Sequence, residues 1–255
     1  MEATRYELLG PLQIRNECPR SISAPKVEIL LATLLIRANR PVSVEEIISE
    51  IWGEDRPNRV RASLHVYVSQ LRKICTGPES RGAVIATHPH GYVLRVDDSL
   101  TDVYDLQRLH ARGRADLAEN PERAFVSFTA AAALFRGPVL AGVPDGAIVS
   151  TFMRWAEEMR LECLESIARC SLRIGRHREV VSDLTHWIDE HPFHEAFREL
   201  LMLALHLSGR RAEALSEFQR ARHLMREELG LEPSETMRQL QSAILNDRRD
   251  LALAR

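Results

Sequence analysis

Apolar residues return every three or four positions through Val60, Leu64, Tyr67, Val68, Leu71 and Ile74. At about 100° per residue these fall on one stripe, so Arg59 to Lys73 reads as a helix with one side made for packing. Two more helices are expected ahead of it. The first opens at Pro25, whose missing amide suits a first turn, and continues through VEILLATLLIRAN to Arg40-Pro41. It is apolar nearly all round and therefore buried. The second follows Ser43-Val-Glu-Glu46, a capping box, and turns Ile47, Ile48, Ile51 and Trp52 inward. Gly53 to Asn58 is a turn between the second and third helices. Strand signals flank the three. Tyr6 to Arg15 is rich in β-forming residues and interrupted by Gly10-Pro11. After a loop at Gly77 to Gly82, short strands at Ala83 to Thr87 and Tyr92 to Val96 are joined by a hairpin tip, His88-Pro-His-Gly91.

From about Asp102 onward the period is helical throughout. Gly175-Arg176-x-x-Glu179-Val180-Val181 recurs as Gly209-Arg210-x-x-Glu213-Ala214-Leu215, an offset of 34 residues. That is the tetratricopeptide period. Helices are expected at His177 to Glu190, Pro192 to Ser208, Arg211 to Glu228 and Ser234 to Asn246, with a degenerate unit from Pro121 to Phe135. Trp155, Trp187 and the phenylalanines lie in apolar periodic settings and read as core.

The chain of 255 residues has room for two ordinary domains, and the pattern change divides it into residues 1–98 and 102–255. The formal net charge of −2 decides nothing, because distribution matters more than the total. From Arg56 to Val96 there are seven Lys/Arg and one acid, Glu79, whereas Met1 to Asp55 holds six Lys/Arg and nine acids. Basic charge is therefore concentrated on the third helix and the hairpin. The side of that helix opposite its apolar stripe shows Arg59, Ala62, Val66, Ser69 and Lys73, and Arg61, His65 and Arg72 line one flank. Small residues let a helix sit deep in a groove, Val66 can meet a thymine methyl, and arginines reach phosphates or guanine edges. Three helices and a hairpin with charge placed this way fit a winged helix-turn-helix. The fold class is expected to be mainly α: an N-terminal α+β winged helix-turn-helix, then an all-α tetratricopeptide-like helical repeat domain. The residues expected on DNA are Arg59, Arg61, Ala62, Ser63, His65, Val66, Ser69, Arg72 and Lys73 from the third helix. From the wing they are His88, His90, Gly91 and Tyr92, with Arg95 beside them.

Other chemistries find little support. His88-x-His90 has no third metal ligand at a fixed spacing, and no nucleophile elbow, dinucleotide fingerprint or metalloprotease helix occurs. An enzyme, a metal site and a cofactor are not expected. Cys18, Cys75, Cys163 and Cys170 lack the close pairing of a disulfide or zinc framework and read as reduced thiols. No apolar run approaches the ~20 residues of a membrane span. MEATRYELLG has no apolar signal core, so a cytoplasmic location is expected, on the nucleoid when DNA is bound. The alternative function is a protein-interaction scaffold of the tetratricopeptide type without a specific DNA target. The segregation of basic charge onto one helix and its hairpin speaks against it.

The motifs, taken in order, resemble the Streptomyces antibiotic regulatory protein family. They are Leu9-Gly-Pro11, Ala24-Pro-Lys26, Arg37-Ala-Asn39, Val42-Ser43, Ile51-Trp-Gly53, Tyr67-Val-Ser-Gln-Leu-Arg72 and His90-Gly-Tyr92. Leu134-Phe-Arg-Gly-Pro138, Ile174-Gly-Arg176, Glu190-His-Pro192, Leu201-Met-Leu-Ala-Leu205, Ser208-Gly-Arg210, Glu213-Ala-Leu215 and Glu228-Leu-Gly-Leu-Glu-Pro233 complete the series. The resemblance covers almost the whole chain. It implies an OmpR-type winged helix followed by a bacterial transcriptional activation domain. It further implies an activator of antibiotic biosynthesis genes that binds direct repeats near the promoter −35 region and recruits RNA polymerase holoenzyme. Arg59 to Lys73 would be the recognition helix and His88 to Tyr92 the wing. Departures from larger relatives are expected as well: no GxxxxGK[ST] loop occurs, no receiver domain is expected before Tyr6, and nothing further after the helical repeats. A single reading head covers little DNA, so a second copy of the chain is expected beside the first, about one helical turn away. Arg72 and Lys73 are expected as phosphate anchors and Arg61 or His65 as base readers.

Overall fold

The structure, a computed structural model, describes residues 4–15, 22, 24–75, 83–144 and 146–247. Cys18 and the expected loop at Gly77 to Gly82 lie outside the described residues. By compactness the chain forms two units, Met1–His110 with Ala130–Leu161, and Ala111–Thr129 with Glu162–Arg255.

In the first unit, the interruption at Gly10-Pro11 folds the leading strand signal into a hairpin. β1 (Arg5–Glu7) and β2 (Gln13–Arg15) pair antiparallel with Tyr6 opposite Ile14. α1 (Pro25–Ile36) buries Val27 and the run from Ile29 to Leu35, as expected of a helix apolar all round. α2 (Val44–Trp52) begins with both bonds of the capping box: the Glu46 amide donates to Ser43 Oγ at 3.2 Å, and the Ser43 amide to Glu46 Oε2 at 2.9 Å. α3 (Val60–Cys75) follows the turn and packs its inner stripe on α1 and α2. Lys26, Trp52 and Tyr67 tie these helices: Trp52 stacks on Tyr67 at 5.7 Å, and the Lys26 ammonium sits 5.2 Å from the Trp52 ring.

A second sheet has the order β3-β5-β4, with β3 (Val42–Ser43), β4 (Ala83–His88) and β5 (Gly91–Val96) all antiparallel. β3 is not foreseen, because two residues are too few to show an alternation. Asn39 anchors this sheet to the end of α1. With φ of 63° it donates its backbone amide to Leu94 O at 2.8 Å and its side-chain amide to Val96 O at 2.8 Å.

Three polar residues extend the first unit past the expected boundary. Asp102, at the head of α4 (Asp102–Asp116), accepts from the Leu8 amide at 2.8 Å and the Leu9 amide at 2.8 Å. Arg136, just after α5 (Pro121–Ala132), donates its amide to Leu9 O at 2.8 Å and lies 3.4 Å from the Glu7 carboxylate. Glu50 of α2, buried, accepts from the Ile148 amide at 2.7 Å and so caps α6 (Ala147–Arg173). A Cβ on Gly146 would lie 2.3 Å from Glu50 Oε2, so only glycine leaves room for that cap. The change of pattern near residue 100 therefore does not coincide with the edge of the compact unit. Buried hydrogen bonds hold residues 102–110 and 130–161 with the first hundred.

In the second unit, α7 (Val180–Glu190) with α8 (Glu195–Leu207) and α9 (Arg211–Leu229) with α10 (Glu235–Leu245) form consecutive helix pairs. The 34-residue echo is visible in the backbone. The Arg176 amide donates to Ser171 O at 2.8 Å, and the Arg210 amide to Leu205 O at 2.8 Å. Gly175 and Gly209 between them take φ of 83° and 79°, the left-handed conformation of a helix-ending turn. Arg176 pairs with Glu179 at 3.8 Å as Arg210 does with Glu213 at 2.6 Å. Both α7 and α8 start three residues later than expected, because the linking turns occupy the first residues of each segment. Arg198 and Glu217, both buried, pair between α8 and α9. Trp155 and Trp187 are half-buried, and Phe128, Phe152, Phe197 and Phe218 are buried; Phe193, 47 % exposed, departs from the core reading.

Cys75, Cys163 and Cys170 are free and buried, and burial pushes their thiols up to about 11, 12 and 11. Among the described residues no helix is long and apolar enough to cross a membrane. Replacing Asp102 by alanine leaves two buried amides without an acceptor. Asp102→Ala is expected to lower the unfolding free energy by about 2–4 kcal/mol in urea titration, and Asp102→Asn, which keeps one acceptor oxygen, to lower it by less.

Candidate nucleic-acid interface

α3 buries Leu64, Val68, Leu71 and Cys75 along one line. Geometry then dictates what points outward. Arg61, Ala62, His65, Val66, Ser69 and Lys73 are exposed, Ser63 and Arg72 are half-buried, and Arg59 lies exposed in the turn just before the helix. The expected face is thus brought together on one side. Val66 is 53 % exposed, an apolar side chain that packing does not account for. Gln70 shares the exposed face and is missing from the sequence-based set. The helical period alone would have found it, since it lies between Val66 and Lys73 on the outward side. Its amide has the donor and acceptor pair that matches adenine. The first turn of α3 holds no acid, so its positive end stays uncompensated from within the helix.

Two basic residues are less free than the sequence implies. Arg72 donates from Nε to Ile85 O at 3.1 Å and from Nη2 to Thr87 Oγ1 at 2.9 Å, and its guanidinium stands 6.0 Å from the Tyr92 ring. It clamps α3 to β4, so the residue expected as a phosphate anchor has Nε and Nη2 engaged within the fold. Arg61 donates from Nη2 to Glu45 Oε1 at 2.9 Å, and Arg56 approaches the other oxygen of the same carboxylate at 3.6 Å. Glu45 is a second residue that sequence reasoning missed. In the sequence it stands inside the Ser43-Val-Glu-Glu46 stretch, where nothing local sets it apart from the cap.

The wing also divides. β4 and β5 pair down to His88 opposite Gly91, which leaves Pro89 and His90 as the tip. His90 and Arg95 are exposed, and His88 is half-buried with its ring 6.1 Å from that of His90. Gly91 and Tyr92, also expected on DNA, are buried, so the structure does not bring them onto the exposed surface with His90. A Cβ on Gly91 would lie 1.8 Å from Val42 O, so glycine is what lets β3 pair with β5 at that point. Tyr92 packs under the Arg72 clamp. Among the described residues no group of three or more His, Cys, Asp or Glu is arranged to hold a metal.

Two family models match the chain. The model described as "Transcriptional regulatory protein, C terminal" covers residues 23–94, and the bacterial transcriptional activator domain covers residues 101–245, more than half of the chain. Regulatory protein DnrI of Streptomyces peucetius is 34 % identical over 94 % of this chain and 92 % of its own length. The chain belongs to the Streptomyces antibiotic regulatory protein family. Regulatory protein AfsR of Streptomyces griseus is 36 % identical over 98 % of this chain, which spans 25 % of the length of AfsR. Among solved structures, Mycobacterium tuberculosis EmbR in complex with a low-affinity phosphopeptide superposes with a TM-score of 0.89 at 33 % identity, covering 96 % of this chain and 66 % of that one. The fold of this family member is thus a winged helix-turn-helix followed by a helical domain.

The clamp yields a direct check on the fold of this family member. Arg72→Lys keeps the charge but loses the planar fork that reaches two acceptors at once. It is expected to lower stability by about 1–2 kcal/mol in chemical denaturation. Amide exchange should rise in β4 ahead of the buried strand β5.

Proposed function

We propose that this chain is a sequence-specific DNA-binding transcriptional activator of an antibiotic or other secondary-metabolite gene cluster. The observation that carries the reading is the outward face of α3: an acid-free helix surface with small residues, an exposed valine and basic edges. Such a surface fits the major groove. Small side chains allow close approach, Val66 meets a thymine methyl, and Arg59, His65 and Lys73 reach bases or phosphates at the edges. The wing tip at His90, with Arg95 behind it, is aimed at the adjacent minor groove. Membership of a family whose relatives are themselves named regulatory proteins supports the same reading.

The site in this proposal is a direct repeat near the promoter −35 region, occupied by two copies of the chain side by side. One module covers only about 600–1,000 Å² on DNA, and a second copy adds affinity and length of sequence read. A repeat of about 10–11 base pairs places both copies on one face of the duplex. The helical domain then brings RNA polymerase holoenzyme to the promoter. The protein works in the cytoplasm, on the nucleoid when bound, and needs no catalytic group or cofactor for any of this.

Fluorescence anisotropy tests the reading, using the full chain with fragments from its own upstream region and with scrambled duplex at several salt concentrations. The expected result is tight binding to one fragment, a steep salt dependence and a clear margin over scrambled DNA. Equal, weak binding to both would remove the DNA reading and favour a protein-interaction scaffold. Within the same assay Lys73→Ala is expected to weaken all duplexes alike and to reduce the slope of log K against log salt by about 0.9. His65→Ala is expected to leave that slope nearly unchanged. An unchanged slope for Lys73→Ala would show that Lys73 touches no phosphate.

A further inference from the structure

Glu45 stands on α2 at the edge of the surface that meets DNA on the reading above, and this inference rests on that reading. Its position is unfavourable at first sight, because a carboxylate near phosphates weakens binding to any duplex. Nor does it serve the cap of α2: Ser43 and Glu46 make both of those bonds. It also contributes little to stability, since its side chain is 61 % exposed and that of Arg61 is 72 % exposed. Arginine keeps its charge without help, so a partner is not needed to hold the proton.

What the carboxylate does is fix direction. Glu45 Oε1 accepts from Arg61 Nη2 at 2.9 Å, while Oε2 faces Arg56 Nη1 at 3.6 Å. Arg56 is itself tethered, donating from Nε to Gly53 O at 3.3 Å. One acid thus engages two arginines, one through each oxygen. A free arginine side chain carries about 2 kcal/mol of rotamer entropy, much of which is lost when it docks on a base. Glu45 removes part of that freedom in advance. Its bond to Arg61 uses one of five guanidinium N–H groups and leaves enough of the fork for a two-point contact. Arg61 lies in the first turn of α3, and the N-terminal residues of a recognition helix are those that meet base edges.

We propose that Arg61 reads a guanine through its O6 and N7 atoms and that Glu45 is the positioning residue that makes this contact selective. The two residues act as one specificity unit built from two helices. Guanine is the base chosen because its major-groove edge alone presents two adjacent acceptors to a planar fork. Glu45 therefore has opposite effects on two quantities: it lowers affinity for DNA in general and raises discrimination at one base pair.

The test is selection from a randomised duplex library by the full-length chain, with Arg61→Ala, Arg61→Lys and Glu45→Gln alongside the wild type. Wild type is expected to enrich a motif containing a G·C pair; Arg61→Ala and Arg61→Lys lose it, with discrimination there falling about 5- to 100-fold, and Glu45→Gln weakens it by about 2- to 5-fold. Glu45→Gln should at the same time bind scrambled duplex as tightly as wild type or more tightly. Circular dichroism melts confirm that each variant is folded, and the untouched capping box makes Glu45→Gln a mild change. If Glu45→Gln keeps the wild-type preference at every position, or loses scrambled-duplex affinity together with specificity, the positioning role is overturned. If Arg61→Ala keeps the G·C preference, Arg61 is not the reader. If wild type enriches no sequence at all, it is the DNA-binding reading that fails, a result distinct from the other two.

Discussion

The Asp102 carboxylate holds the first unit together. A two-stranded hairpin as short as β1–β2 has no stability of its own in water. Here it is fastened at the turn between its strands, where the Leu8 and Leu9 amides both donate to one buried acid. Burial raises the pKa of that acid, while the two amides and nearby Arg136 act in the opposite direction. Arg136 extends the arrangement, linking Leu9 and Glu7 to the segment that follows α5. Residues far apart in sequence, Leu9-Gly-Pro11 and Leu134-Phe-Arg-Gly-Pro138, are thereby revealed as two sides of one contact. A Cβ on Gly10 would meet Arg136 Cβ at 3.0 Å, which accounts for the glycine between leucine and proline.

Much of this fold is legible in the chain because its signals are local. A helix apolar all round, a serine with glutamate three residues on, and a glycine-arginine turn repeated at 34 residues each report on their own neighbourhood. What escapes is non-local. β3 consists of two residues and exists only because β5 lies beside it. Glu50 reads as an ordinary polar residue of α2, yet it is buried as the cap of a helix about a hundred residues later. The compact units interleave for the same reason: a change in periodicity marks where one kind of local structure gives way to another, and long-range hydrogen bonds ignore it.

The candidate site divides along the same line. Which residues of α3 face outward follows from helical geometry: the exposed set adds Gln70 to the sequence-derived one, of which Ser63 and Arg72 are half-buried. What each basic side chain is doing does not follow. Arg61 and Arg72 look alike in sequence, but one is held by an acid on α2 and the other is spent on a strand. Tyr92 and Gly91 adjoin the tip in sequence, but β5 is buried along most of its length and β3 approaches at Gly91, so both lie inside.

Ser43 pairs with Gly91 of the hairpin and also caps α2. Arg72 ties the same hairpin to α3 from the other side. Wing and helix-turn-helix therefore share atoms at both ends and have little freedom to adjust to one another. On the proposed reading the distance between what is inserted in the major groove and what reaches the minor groove is a fixed length, like the span of a caliper. A duplex whose grooves do not match that span has to bend to be gripped. Sequences that bend at low energetic cost are then favoured even at base pairs no side chain touches.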